Sequence, residues 1–218
     1  MDVDNTLLDA DRVTVDLGRY LKKTVGPDRQ QRYWHLFKQL RHDLGYADYL
    51  GALQRYRNEY AHDPQVLLVS HFLLNYPFSI SLFPNALAVV NHLQQRGLVV
   101  LVSDGDVVFQ PHKIERAGLF DAVGGQVLIY VRKERELDDI EARYPAWHYV
   151  VIDDKLRILS AVKHVWGPRV TTVFSQQGHY AQALNARNTY LAADITLERI
   201  SDLLQYDPDS LCAAPTLV

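Results

Sequence analysis

An α/β fold, with a parallel sheet covered by helices on both faces and a helical insert near the N-terminus, is what these 218 residues predict, on three observations. From residue 83 onward, short apolar runs alternate with stretches of helical period. The run at 98–102, Leu-Val-Val-Leu-Val, is apolar without alternation, as a strand buried on both faces requires. Polar clusters containing Ser, Lys or Asp stand just beyond these runs, where open parallel sheets place their ligand crevice.

The chain opens with Met1-Asp2-Val3-Asp4-Asn5-Thr6, followed by Leu7-Leu8-Asp9. In extended backbone, residues i and i+2 project to one side, so Asp2 and Asp4 face one point in space. Like charges that close shift each other's pKa unless a cation sits between them or one keeps a proton, and a divalent metal is the simplest resolution. Asp-Asn-Thr also suits a surface turn in which an Asx side chain bonds its own backbone.

Residues 10–82 read as a small helical bundle. Tyr33, Trp34, Leu36, Phe37 and Leu40 recur at helical spacing, as do Leu50, Leu53, Tyr56 and Tyr60, and Asp63-Pro64 starts a further helix running to about residue 74. Pro84 opens a helix carrying Leu87, Val90 and Leu93, which Gly97 stops. Strands are then expected at 98–102, 126–130, 148–152 and 170–174, with helices at 111–117, 135–144 and 156–165 between them. Residues 1–9 and 83–206 thus form the α/β core, 10–82 the insert, and 207–218 a poorly specified, mobile tail.

Bulk properties narrow the function. Lys plus Arg number 23 against 26 for Asp plus Glu, and the net charge of -3 offers no electrostatic case for nucleic acid or an anionic membrane. Cys212 is the single cysteine, which excludes an intrachain disulfide and a cysteine zinc cluster and fits a reducing compartment. No apolar run approaches the ~20 residues of a membrane helix, and the acidic N-terminus is unlike a signal peptide, so a cytoplasmic location is expected. Oligomeric state is not readable from these features.

Three later clusters carry chemistry. Ser103-Asp104-Gly105 follows the strand ending at Val102, and a hydroxyl followed by Gly there offers a donor and unencumbered backbone N–H groups to an anionic oxygen. Tyr130-Val131-Arg132-Lys133-Glu134 follows the next apolar run. Asp153-Asp154 follows Ile152, and paired acids beyond a buried strand are costly unless they meet metal or cations. An N-cap ahead of the next helix explains at most one of them.

The opening Asp-x-Asp-x-Thr-Leu, with Ser103, Lys133 and Asp153-Asp154 in this order, resembles the four motifs of the haloacid dehalogenase-like superfamily. That resemblance implies a Rossmann-like core with a helical cap inserted after the first motif. It also implies a magnesium-dependent phosphatase that works through an aspartyl-phosphate on a small phosphorylated substrate. Asp2 would be the nucleophile and Asp4 the acid and base. Ser103 and Lys133 would bind the phosphoryl group, with Thr6, Asp104 and Gly105 beside it, although Lys113 and Arg132 compete with Lys133. Mg would be held by Asp2, Asp4 through its backbone carbonyl, Asp153 and Asp154.

A dehalogenase, a phosphotransferase or mutase, and a binding protein on the same fold are the alternatives. A departing halide needs neither proton nor metal, so Asp4 and the Asp153-Asp154 pair favour phosphate. Family members place four or five apolar residues before the first Asp, where this chain has only Met1, and the reading frame is therefore expected to begin upstream. Arg32, Arg41, Tyr46, Arg55 and Arg57 of the insert are candidate substrate contacts, but their spacing makes most of them solvated helix faces. His35, His42, His62 and His71 lack an i, i+4 metal spacing. Residues 176–180, Gln-Gln-Gly-His-Tyr, follow the last strong strand and read as a loop bordering the site.

Overall fold

Five parallel strands form the core of the protein in the computed structural model, which describes residues 1–181 and 189–212. They are β1 Leu101–Asp104, β2 Val127–Tyr130, β3 Tyr149–Asp153, β4 Val170–Ser175 and β5 Ile195–Leu197. β1 pairs with β2, Leu101 opposite Val127, while β3 pairs with β4 and β4 with β5, Tyr149 opposite Val170 and Val173 opposite Ile195. Side chains alternate between two apolar layers, as period-2 backbone dictates. Leu101, Val127, Ile129, Val150 and Ile152 enter one layer. Val102, Leu128, Tyr130, Tyr149 and Val151 enter the other, against Leu137, Ile158, Val162 and Trp166. The expected α/β sheet with both faces covered is present.

Two expectations shift. Residues 98–100 lie outside β1, because β2 reaches back only to Gln126, whose carbonyl accepts from the Leu101 N–H at 2.9 Å. β5 was not foreseen, its three residues being too few to show a period.

The two groups of strands are joined by the N-terminus. The Met1 ammonium donates to the Val100 carbonyl at 2.7 Å, Val102 N–H donates to the Met1 carbonyl at 2.8 Å, and Asp2 N–H donates to the Ile152 carbonyl at 2.9 Å. Met1 and Asp2 thus act as a strand end between β1 and β3. Beyond Met1, an apolar slot of about 370 Å³ separates the strand groups, lined by Val100, Val150, Ile158 and Trp166 among others.

Residues 10–74 contribute four helices: α1 Ala10–Val25, α2 Pro27–Leu44, α3 Tyr49–Glu59 and α4 Gln65–Leu74. Asp9 caps α1 by accepting from Arg12 N–H at 2.8 Å. Asn5 takes the left-handed conformation, φ 61°, which Asn tolerates, and its side chain accepts from the Ala10 and Asp11 N–H groups. The turn foreseen for Asp-Asn-Thr and the acidic motif are therefore one structure. The chain leaves and re-enters the core at adjacent points, where Leu8 bridges Leu82, Asp9 N–H donates to Ser81 and Phe83 N–H donates to Leu7.

The remaining helices of the core are α5 Ala86–Gln94, α6 Phe109–Arg116, α7 Leu119–Ala122, α8 Leu137–Arg143, α9 Leu156–Trp166 and α10 Gly178–Ala181. Part of the expected tail is not loose: Ser210–Cys212 forms a 3-10 turn that buries Leu211 in the main core. Residues 213–218 of that expectation lie outside the described residues. Among the described residues, no helix is long and apolar enough to cross a membrane.

The slot is apolar and opens beyond Met1, which gives a stability test. Adding Val-Ile-Val-Ile ahead of Met1 should raise Tm by about 2 to 4 °C for each kcal/mol gained. Ser-Asn-Ser-Asn at the same place should give no increase. Calorimetry of the three proteins checks this, and equal melting would show that the slot admits no strand.

Candidate active site

Strand ends bring the acidic motifs together. Asp2 leaves the N-terminal segment between β1 and β3, and Asp153 and Asp154 leave β3 one ladder position away. Lys133, in a 3-10 turn after β2, reaches past β1 to Asp2 and Asp153. Its ammonium donates to Asp2 Oδ1 at 2.5 Å and to the Val102 carbonyl at 3.1 Å. It also lies 2.7 Å from Asp153 Oδ2, an ion pair whose angle falls outside hydrogen-bond geometry. Asp104 holds the turn in place by accepting from the Lys133 N–H at 2.8 Å. Of the two competing lysines, Lys133 is therefore the one beside Asp2. Lys113 sits on Asp4 instead, at 2.5 and 2.7 Å from its two oxygens.

These charges are buried, and their proton affinities separate accordingly. Burial opposes ionisation of Asp2, but Lys133 and then Lys155 outweigh it and hold its carboxyl below the usual range. The ammonium of Lys133 is also opposed by burial, yet Asp153, Asp2 and Asp104 raise its pKa above the ordinary lysine value. Burial, with Asp2 adding to it, pushes Asp153 up despite Lys133. Asp154 goes furthest: it is 0 % exposed, and burial drives it to about 9. Neither of its oxygens has a hydrogen-bond partner, and its nearest cation is Lys155 at 4.0 Å.

Orphaned carboxylate oxygens are what a hard dication would satisfy. Asp2, Asp153 and Asp154 each offer an oxygen, all within 4.8 Å of one another. That span is close to the ~4.2 Å between opposite corners of an octahedral magnesium shell. The residues present therefore fit a divalent metal.

Ser103, at the end of β1, is 1 % exposed, and its Oγ accepts from Gln110 Nε2 at 2.7 Å. Thr6 donates to Asp2 Oδ2 at 3.1 Å, so the geometry ties it to that carboxylate, and contact with substrate stays an expectation. One sequence expectation is corrected: Gly105 N–H is not free for an anion, because it donates to the Tyr130 carbonyl at 3.0 Å, completing the β1–β2 ladder. Gly105 matters for its size, since a Cβ there would lie 2.8 Å from the Gln110 Cβ.

Between the strand ends and the helices of the insert lies a cavity of about 820 Å³. Asp4, Asp104, Lys113 and Lys155 line it from the core, and Arg41 and Tyr49 from the insert. Asp2, 3 % exposed, is not on its wall. His179 and Tyr180 also border it, and they do so from α10 rather than from the loop expected over residues 176–180. Arg41 and Tyr46 reach the cavity, whereas Arg32 and Arg55 pair with Glu59 and Asp43. Gln110 and Lys113 were missed as a site pair; their i, i+3 spacing on one helix was the available signal.

Comparison with known proteins identifies the arrangement. The sequence model of the haloacid dehalogenase-like hydrolases matches residues 1–140. The chain belongs to this family. A haloacid dehalogenase-like hydrolase from Burkholderia xenovorans LB400 shares 54% identity and a TM-score of 0.89, the match covering 94% of this chain and 96% of that one. Magnesium-bound HAD-hydrolase YfnB from Bacillus subtilis has 15% identity and a TM-score of 0.60, with 94% and 95% covered. L-2-haloacid dehalogenase from Xanthobacter autotrophicus has 16% identity and a TM-score of 0.60, also with 94% and 95% covered. Likeness at that identity speaks to the fold alone. No curated protein matches the chain. As a haloacid dehalogenase-like hydrolase it acts on a small molecule, and its family often uses a metal ion.

Asp154 supplies a pH test. Its folded pKa near 9 exceeds the ordinary 3.8, so the metal-free folded protein holds a proton that the unfolded chain releases between those values. In EDTA, the stability of the wild type should therefore fall relative to Asp154→Asn as pH rises from about 4 to 9. Magnesium should raise the wild-type Tm and leave that of Asp154→Asn nearly unchanged. Parallel pH curves for the two proteins would contradict the assignment.

Proposed function

We propose that this hydrolase is a phosphomonoesterase that uses Asp2 as nucleophile and magnesium as cofactor. The observation that carries the reading is Asp154, a buried carboxyl group whose oxygens have no hydrogen-bond partner, beside the ionised Asp2. Displacement of a halide would give such a group no purpose, whereas a dication shared with a phosphoryl oxygen would.

In this reading Asp2, Asp153 and Asp154 hold magnesium together with the Asp4 carbonyl, and the ion supplies charge neutralisation to the phosphoryl group. Asp2 Oδ1 is taken by Lys133, which leaves Oδ2, held only by Thr6, to attack. A bond forms from Asp2 to phosphorus as the bond to the leaving oxygen breaks, and Asp4 gives that oxygen a proton. Water then attacks the aspartyl-phosphate and gives its proton to Asp4, and inorganic phosphate departs. Ser103 and Lys133 offset charge on the nonbridging oxygens, the electrostatic part of phosphoryl transfer. The helices of residues 10–82 serve as a cap that closes over the cavity and excludes water.

A dehalogenase is the second reading. Lys133 pairs with both Asp2 and Asp153, so the two acids already share a cation without metal. Assays of sugar, nucleotide and carboxylic-acid phosphates, alongside 2-chloropropionate, separate the two. Phosphate release that is abolished by EDTA, and reduced at least about a thousandfold in Asp2→Asn, is the expected result. Chloride release that survives EDTA would replace the reading with the second.

A further inference from the structure

Helix α6 sends two buried polar side chains into the site. Lys113, 4 % exposed, donates to both oxygens of Asp4. Gln110, three residues earlier on the same helix face and also buried, donates through Nε2 to Asp4 Oδ2 at 3.1 Å and to Ser103 Oγ at 2.7 Å. The orientation of the Gln110 amide follows from this network, because the flipped form would set its oxygen against a carboxylate.

Each feature has a cost that points to function. A buried ammonium is destabilising unless it is paired, and Asp4 is the acidic partner of Lys113 among the described residues. The approach of Gln110 needs a residue without Cβ at position 105. Since the Ser103 hydroxyl accepts from Gln110, its own proton is directed elsewhere, free for a phosphoryl oxygen.

We propose that Gln110 and Lys113 are positioning residues that fix the Asp4 carboxylate and the Ser103 hydroxyl as one unit. This rests on the phosphatase reading. The group that protonates the leaving oxygen and the hydroxyl that binds the phosphoryl group would then share a single rigid support, so that neither can drift without the other.

The test exploits the leaving group. p-Nitrophenolate departs without a proton, whereas an alkoxide needs one. Lys113→Met should lower kcat on an alkyl phosphate by about ten- to a hundredfold, the scale of general-acid assistance. It should change the rate of the p-nitrophenolate burst, which reports formation of the aspartyl-phosphate and needs no acid, by less than about threefold and KM by little, and Lys113→Arg should recover most of the loss. A burst slowed as much as alkyl phosphate turnover, or a loss confined to KM, would overturn the proposal. A second readout needs no turnover: in crystals of folded Lys113→Met, the Asp4 side chain should leave its wild-type rotamer. An unmoved Asp4 refutes the positioning role even if the wild type hydrolyses no phosphate, an outcome that by itself would refute only the phosphatase reading.

Discussion

Asp2 and Asp153, far apart in the chain, share one buried ammonium, and that contact joins the N-terminal motif to the end of β3. Three charges out of water are tolerated only as a set. Removing one partner from such a cluster typically costs about 3 to 5 kcal/mol, because the charge left behind stays buried. Lys133 can reach both acids only because its turn is pinned to Asp104 at the end of β1, and Asp2 is in range only because Met1 and Asp2 hydrogen-bond to β1 and β3. Backbone pairing and charge pairing are therefore one constraint seen from two sides.

The same constraint explains the separation of roles among the carboxylates. Lys133 and Lys155 keep Asp2 ionised, while Asp154, one residue beyond Asp153 and out of reach of Lys133, is driven by burial toward its neutral form. Two acids of identical chemistry thus differ because one accepts from an ammonium at 2.5 Å and the other has its nearest ammonium, that of Lys155, at 4.0 Å. Met1 follows the same rule: burial, with Lys133 near it, pushes its ammonium down to about 5.

Much of this was legible in the sequence, and what was not has physical reasons. The apolar runs gave β2, β3 and β4 nearly to the residue, since strands buried on both faces must be continuously apolar. The nearness of Asp2, Lys133 and Asp153 was foreshadowed because each lies at or shortly beyond the end of a strand segment. Residues 98–100 misled because apolar composition reports burial, not pairing, and they border the slot without a partner in β2. The attachment of Lys113 to Asp4 was hidden for another reason. It depends on how α6 is rotated against β1, and that rotation is set by the packing of Phe109 and Ile114 in the core. The free N–H assigned to Gly105 failed because a glycine after a strand reads alike whether it continues the ladder or opens it.

Charge on the insert carries the reasoning one step further. Arg29 pairs with Asp63, Arg32 with Glu59 and Arg55 with Asp43, so these guanidiniums are neutralised within the helices themselves. Arg41, in the last turn of α2, differs. Among the described residues it has no acidic partner, and its guanidinium lies 5.4 Å from the centre of the Tyr180 ring, which also sits 5.1 Å from the Lys155 ammonium. A cation from the insert and a cation from the core thus meet on one aromatic ring at the cavity wall. Bringing them together is repulsive unless negative charge offsets it, and Asp2, Asp4 and Asp153 are already paired with Lys133 or Lys113. In the proposed phosphatase reading an anionic substrate would be that counter-charge, which would tie closure of the proposed cap to occupancy of the cavity.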